Sequence, residues 1–190
     1  MIRGIIKSDR GDIEEALPDF NKAIEYNPGF TNSLRLRGYL HNRLKNFDLA
    51  LKDLNQTISK DTTKPDDYLS RGIAHDAVGN AAKAMRDYNR ALRMNPNLFL
   101  AYDNRGVLKA KAGDVEGALT DVNKALELAP ESAGTYSNRG NIMAMQNDFQ
   151  SSVKDFTKAI QLDPENSRDY FNRGLSLLNL QDTVAACRDW

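Results

Sequence analysis

Hydrophobic and polar residues follow a helical spacing along the whole chain. Stretches of about a dozen residues carry apolar positions three and four residues apart, a pattern that predicts amphipathic α-helices. Short segments such as Gly79-Asn80 and Gly113-Asp114 separate them. Glycine or asparagine can end one helix in the left-handed conformation, and aspartate or asparagine can cap the next. We therefore predict an all-α chain of helical hairpins, whose helices are too short to be stable alone.

An internal repeat sets the order of these hairpins. Prolines recur every 34 residues at Pro96, Pro130 and Pro164, and an Arg-Gly pair keeps the same interval throughout. The six pairs are Arg3-Gly4, Arg37-Gly38, Arg71-Gly72, Arg105-Gly106, Arg139-Gly140 and Arg173-Gly174. The predicted repeats are 1–30 (partial), 31–64, 65–98, 99–132, 133–166 and 167–190 (partial).

The residues within each period resemble the tetratricopeptide repeat (TPR) family, whose 34-residue unit has aromatic, small and proline residues at fixed offsets. In repeat 99–132 these marks are Tyr102, Gly106, Ala118, Ala125 and Pro130. The resemblance covers nearly the whole chain. It implies an α-solenoid of stacked antiparallel helix pairs, a right-handed superhelix of about five and a half repeats, in a single domain over residues 1–190.

In this family the exposed face of the first helices lines a concave groove that holds partner peptides. Asn104, Asn138 and Asn172 recur on this face, and an amide can both donate to and accept from a peptide backbone. A solvated polar face is an equally acceptable interpretation. The candidate peptide-binding residues are Ser70, Asn104, Asn138, Asn172, Lys111, Asn141 and Asn179.

The carboxylate clamp of chaperone-binding members is disfavoured. That clamp begins with a lysine and an asparagine on the groove face, four residues apart. The pairs at these positions are Arg35 and Tyr39, Leu69 and Ile73, Asp103 and Val107, and Ser137 and Asn141. None combines lysine with asparagine.

An arginine recurs inside the apolar arc of each first helix, where an unpaired charge is costly. We predict a ladder of Arg-Asp ion pairs, within a repeat or across to the next, because an aspartate recurs in every second helix. The alternative is an arginine stripe that binds acidic peptides. The arginines are Arg3, Arg37, Arg71, Arg105, Arg139 and Arg173, and the aspartates are Asp19, Asp53, Asp87, Asp121, Asp155 and Asp189.

The amino-acid composition limits which partners and which cellular compartment are expected. The 26 basic and 26 acidic residues give zero formal charge, which argues against nucleic acid as the main partner. The longest apolar run, Leu98 to Tyr102, is far below the roughly 20 residues that span a bilayer, so no membrane insertion is expected. With one cysteine, Cys187, and no secretory signal, we expect an intracellular, cytoplasmic protein.

Enzymatic activity is not expected. The chain has no phosphate loop, dinucleotide fingerprint, zinc-binding pattern or serine nucleophile elbow, so we predict no catalytic residue, cofactor or metal. His41 and His75 stand one period apart, but a metal site needs a third ligand. Packing is the favoured role for both.

The sequence thus predicts a scaffold for protein–protein interaction that binds an extended peptide or partner segment in the concave groove. The alternative is a substrate-recruiting or structural TPR arm of a larger enzyme or multiprotein assembly. The partial repeats at both ends predict end-to-end self-association or continuation into further repeats, since a solenoid end needs a cap.

Overall fold

The computed structural model describes residues 1–190 as twelve α-helices and no strands, which confirms the all-α solenoid prediction. Helices pair as antiparallel hairpins in chain order. The first three hairpins are α1 (Ile2–Arg10) with α2 (Ile13–Tyr26), α3 (Thr31–Arg43) with α4 (Phe47–Lys60), and α5 (Pro65–Ala77) with α6 (Ala81–Met94). The others are α7 (Phe99–Lys111) with α8 (Val115–Leu128), α9 (Ala133–Met145) with α10 (Phe149–Leu162), and α11 (Ser167–Asn179) with α12 (Thr183–Asp189).

Each hairpin turns at one residue in the left-handed conformation. Glycine or asparagine occupies four of these six turns, as the sequence predicts. The other two turns are Lys45, with φ 60°, and Gln181, with φ 63°. A residue with a Cβ costs roughly 1–2 kcal/mol in this conformation, so packing of the flanking helices must hold the two turns closed.

Aspartate caps the second helix in three hairpins. The side chain of Asp114 accepts a hydrogen bond from the backbone N–H of Gly117 at 3.0 Å. Asp148 and Asp182 make the equivalent bond. The corresponding residues of the first three hairpins, Asp12, Asn46 and Asn80, make no such bond, so the predicted caps form only in the later hairpins.

The two helices of a hairpin meet where a glycine faces a large side chain. Gly72 of α5 lies against the fully buried ring of Tyr88, and an added Cβ would come within 2.6 Å of Tyr88 Cε1. Gly140 lies in the same way against Phe156, which is 1% exposed. The glycine of the Arg-Gly pair is therefore required by helix contact.

The hairpins stack into two compact units, Met1–Pro96 and Asn97–Trp190, each of three hairpins. Within a unit, the second helix of one hairpin packs on the first helix of the next. In the second unit, for example, Ala118 and Val122 of α8 share a buried cluster with Ile142 of α9. One continuous domain over residues 1–190 stays a prediction.

Every recurring arginine forms an ion pair with the aspartate 16 residues later, in the same hairpin. In α9, Arg139 donates through Nε and Nη2 to the two carboxylate oxygens of Asp155, at 2.8 and 2.7 Å. This bidentate geometry is among the strongest that charged side chains make. The pairs are Arg3–Asp19, Arg37–Asp53, Arg71–Asp87, Arg105–Asp121, Arg139–Asp155 and Arg173–Asp189.

The guanidinium group also links neighbouring hairpins. Arg139 Nη1 donates to Asn123 Oδ1 of the preceding hairpin at 2.8 Å, and its guanidinium carbon lies 5.6 Å from the ring centroid of Tyr136. The hydrogen bond with Asp155 raises the pKa of Arg139, although partial burial opposes the rise. The TPR aromatic position thus packs against the arginine.

Burial differs along this ladder of ion pairs. The carboxylate of Asp155 is 8% exposed and its partner Arg139 is 25% exposed. At the first pair, Asp19 is 6% exposed whereas Arg3 is 71% exposed, and Lys7 provides a second cation 3.9 Å from Asp19. Loss of Arg139 therefore leaves the buried Asp155 without a cation, whereas Asp19 keeps Lys7 nearby after loss of Arg3.

We predict that Arg139→Gln lowers the free energy of unfolding by about 3 kcal/mol, the lower range for breaking a buried ion pair, because Asp155 loses its cation. Arg3→Gln is the matched control and should lower stability much less, since Arg3 is largely exposed. Urea denaturation followed by circular dichroism measures both. Equal losses for the two variants would contradict a structural role of burial in the ladder.

We predict opposite effects of alanine at two helical glycines. Gly72→Ala should destabilise the protein by about 1–3 kcal/mol, because its Cβ overlaps the buried Tyr88 ring. Gly134→Ala should be neutral or stabilising, since nothing lies within 4 Å of the added Cβ and alanine favours helix. Thermal unfolding checks the two signs; a stabilising Gly72→Ala would show that this helix contact is loose.

Candidate functional site

The groove face of the second unit holds a small pocket between α7 and α9. Its volume is about 140 Å³ and its walls are mostly apolar. Three residues predicted from the sequence lie in it, namely Lys111, Asn138 and Asn141. The apolar lining residues are Val107, Ala110, Ile142 and Met145. Such a mixture of apolar walls and a few polar groups is typical of a site that anchors one side chain of a ligand.

A buried carboxylate holds the amide of Asn138 in one orientation. Asn138 Nδ2 of α9 lies 3.0 and 3.1 Å from the two carboxylate oxygens of Asp103 in α7. A carboxylate only accepts hydrogen bonds, so the N–H₂ group of Asn138 must face it. No group of the chain donates to Asn138 Oδ1. This carbonyl oxygen therefore remains an acceptor in the pocket.

Asp103 is a functional candidate that sequence reasoning missed. It is 9% exposed, and burial raises its pKa, while hydrogen bonds from Asn138 and Thr135 oppose the rise. In the sequence, Asp103 stands only at a position where the carboxylate clamp requires lysine. The signal available was its spacing, since Asp103 and Asn138 stand 35 residues apart, at nearly equivalent positions of stacked helices.

The other groove asparagines differ in their partners. Asn172 of α11 donates to Asn141 Oδ1 of α9 at 3.2 Å, which links adjacent first helices. Asn104 instead bonds back to the carbonyl of Leu100 in its own helix at 2.6 Å. Asn179 likewise bonds to a carbonyl four residues earlier. The row is thus regular in sequence position but not in hydrogen bonding.

In the first unit, charged groups within the chain occupy the corresponding face. Arg35 of α3 donates to the fully buried Asp67 at 2.8 Å and to Asp61 at 2.7 Å. The hydroxyl of Tyr39 also donates to Asp67, and burial raises the pKa of Tyr39. Because these bonds lie within the chain, Arg35 and Tyr39 have a structural role. The sequence indicates these two residues only as positions of the carboxylate clamp.

Ser70, the predicted extension of the asparagine row, lies half-buried in α5 of the first unit. Its backbone carbonyl accepts a hydrogen bond from Asn42 Nδ2 at 2.7 Å. The contact joins α3 to α5 through the backbone, and the Ser70 hydroxyl takes no part in it.

Neither a metal cluster nor a membrane-spanning helix is present in the structure. No group of three or more histidine, cysteine, aspartate or glutamate side chains is placed to hold a metal ion. None of the twelve helices has the length and apolar character that crossing a membrane requires. The guanidinium groups of the ladder are paired with aspartates of the same hairpin. These arginines therefore have a structural role and do not form a stripe on the groove.

Solved structures with the same fold include several TPR proteins. A thermophilic TPR protein from Thermus thermophilus superposes with a TM-score of 0.78 at 18% identity, covering 94% of this chain and 97% of that one. MamA from Desulfovibrio magneticus RS-1 gives 0.71 at 21% identity, over 84% and 90% of the two chains. Cut9 with Hcn1 from an APC/C hetero-tetramer gives 0.90 at 18% identity, over 98% and 37%.

Sequence comparison agrees with the fold. No curated protein sequence matches the chain significantly. Tetratricopeptide-repeat family models match residues 3–65 and 69–133, and a further repeat model matches residues 133–166. Together with the repeated hairpins and their Arg-Gly positions, these matches establish that the chain belongs to the tetratricopeptide-repeat family.

Proposed function

We propose that the protein is an interaction scaffold that binds an extended segment of a partner protein across α7, α9 and α11. Its fold is that of scaffolds for protein–protein interaction. The observation that carries the proposal is the apolar pocket between α7 and α9, with the oriented amide of Asn138 beside it.

The pocket favours one apolar side chain of the partner as an anchor. Val107 and Ile142 form its walls, and Met145, which is 58% exposed, adds a flexible apolar surface. Methionine adapts to side chains of different shape, so the anchor is selected by size and apolar character. An aliphatic or aromatic residue of the partner meets these conditions.

The asparagines favour an extended backbone next to that anchor. The amide nitrogens of Asn104, Asn138 and Asn172 donate to groups of the chain, so their carbonyl oxygens face the partner as acceptors. Backbone N–H groups of an extended segment are the matching donors. Such contacts do not depend on the side chains of the partner. The anchor residue then mainly determines which segment binds.

An exposed apolar residue of α11 extends the same surface. Leu175, which corresponds to Val107 and Asn141 in the repeat, is 42% exposed. A second apolar residue of the partner can lie here. In the alternative proposal the chain is the arm of a larger enzyme or complex, and it binds its partner through the same surface.

The test is selection of peptides from a random displayed library on the intact chain. For peptides so selected, the triple change of Asn104, Asn138 and Asn172 to alanine should weaken binding roughly 10- to 2000-fold, if each lost hydrogen bond contributes ~0.5–1.5 kcal/mol. Isothermal titration calorimetry measures the affinities. Met145→Ala should also weaken binding without affecting the fold, because Met145 is exposed.

A second triple variant is the matched control. Glu116, Gln150 and Gln161 are exposed on α8 and α10, the second helices of the same unit, and their change to alanine should leave the affinity unchanged. Circular dichroism confirms that each variant folds. Peptides whose affinity is insensitive to both the asparagine triple and Met145→Ala would place the binding surface elsewhere.

A further inference from the structure

A second cavity, in the first unit, has a different chemical character. It lies between α4, α5 and α6, has a volume of about 230 Å³, and is mostly polar. Arg71 and His75 lie one turn apart on α5, whereas Ile73, at the groove position, is on the opposite side of that helix. The lining residues are Asn55, Arg71, His75, Lys83, Arg86 and Asp87.

The cavity carries two positive charges that the protein does not neutralise. Asp87, its one acidic lining residue, forms a bidentate ion pair with Arg71, at 2.8 and 2.7 Å. Asn55 accepts a further N–H of Arg71 at 3.0 Å. No hydrogen bond or ion pair of the structure involves the side chains of Lys83 and Arg86. The net charge of the lining is therefore two, with histidine neutral.

His75 is a buried polar group without a partner in this cavity. Its side chain is 7% exposed, and its Nδ1 atom is buried without a hydrogen bond. Nδ1 is shielded from solvent, as it also is in His41, so the ring nitrogen of His75 that a ligand in the cavity can reach is Nε2. Burial lowers the pKa of His75, Asp87 raises it, and the charges of Arg71, Lys83 and Arg86 lower it further. An imidazole among such cations is a ready partner for an anion.

The equivalent positions of other hairpins lack this combination. Lys109 occupies the position of His75 in the hairpin of α7 and α8. Its Nζ lies 2.8 Å from Asp121, so an aspartate of the same hairpin neutralises this cation. His41 occupies the position in the preceding hairpin, but Leu49 and Lys52 replace Lys83 and Arg86 there. The convergence of histidine with two unpaired cations is thus specific to α5 and α6.

We propose that the cavity between α4, α5 and α6 binds a phosphate group, with Lys83 and Arg86 as its cationic ligands and His75 as a hydrogen-bonding partner. A phosphomonoester carries about −1.5 to −2 charges at pH 7, which matches the two free cations better than a carboxylate does. The guanidinium of Arg86 can bind two phosphate oxygens at once. The site lies apart from the groove, so it provides the scaffold with a second type of ligand.

The chain contains its own spectroscopic control. His41 and His75 are the two histidines, so their ring C–H signals can be assigned with His41→Gln. Titration with inorganic phosphate, at ionic strength held constant with sodium chloride, should shift the His75 signal saturably and leave the His41 signal unchanged. A His75 signal that does not shift, or that shifts in parallel with His41, would overturn the proposal.

The double variant Lys83→Gln/Arg86→Gln should weaken phosphate binding at least roughly tenfold, since two charge-assisted contacts are lost. Both side chains are exposed, so the variant should fold as the native chain does. Lys52→Gln is the matched control, because Lys52 occupies the position of Arg86 in the preceding hairpin. Phosphate affinity that is equal in the double variant and the native chain would refute the assignment of the ligands.

The phosphate group can be a free ion or part of an organic phosphomonoester. Replacing inorganic phosphate by O-phosphoserine in the same titration distinguishes these sources. Saturable binding of either supports the site. Tighter binding of phosphoserine assigns it to a phosphomonoester, whereas equal or tighter binding of inorganic phosphate assigns it to the free ion. Serine without phosphate should not shift the His75 signal; a shift equal to that of phosphoserine would contradict recognition of phosphate.

Discussion

The bidentate ion pair between an arginine of each first helix and an aspartate of each second helix is the contact on which the architecture depends. It sits beside the glycine that allows the two helices to approach, so it determines both their separation and their register. Within a unit a further N–H of the guanidinium donates to the preceding hairpin, as Arg71 does to Asn55 and Arg139 does to Asn123. One side chain therefore holds a hairpin closed and stacks it on its neighbour.

This arrangement also determines which charges are free for ligands. A guanidinium paired with a buried carboxylate, such as that of Arg71 with Asp87, has its charge neutralised within its own hairpin. In the function proposed above, recognition rests on residues outside the ladder, and these differ between the units. In the second unit they are the amides and apolar side chains around Asn138, whereas in the first Arg35 is engaged by Asp61 and Asp67. A uniform scaffold thus carries surfaces of different chemistry.

Much of the fold was predictable because it repeats. The period, the helical hairpins and the matching numbers of arginine and aspartate are all visible in one sequence. The sequence did not decide whether the ion pairs close within a hairpin or between hairpins, since both spacings satisfy the pattern. The turns at Lys45-Asn46 and Gln181-Asp182 were predicted by position, but the left-handed conformation of Lys45 and Gln181 was not, because local preference opposes the conformation that helix packing imposes. The role of Asp103 could not be predicted, because its partner Asn138 is 35 residues away and because its burial depends on how the helices pack.

The closure of each ion pair within one hairpin bears on how such a chain can change in length. Gain or loss of a complete 34-residue period adds or removes one arginine and its own aspartate together. The charge balance of the ladder is then the same for any number of hairpins. Duplication or deletion in units of one period leaves no unpaired charge in the ladder, so arrays of this sequence type can lengthen or shorten during evolution without compensating substitutions at its arginines and aspartates.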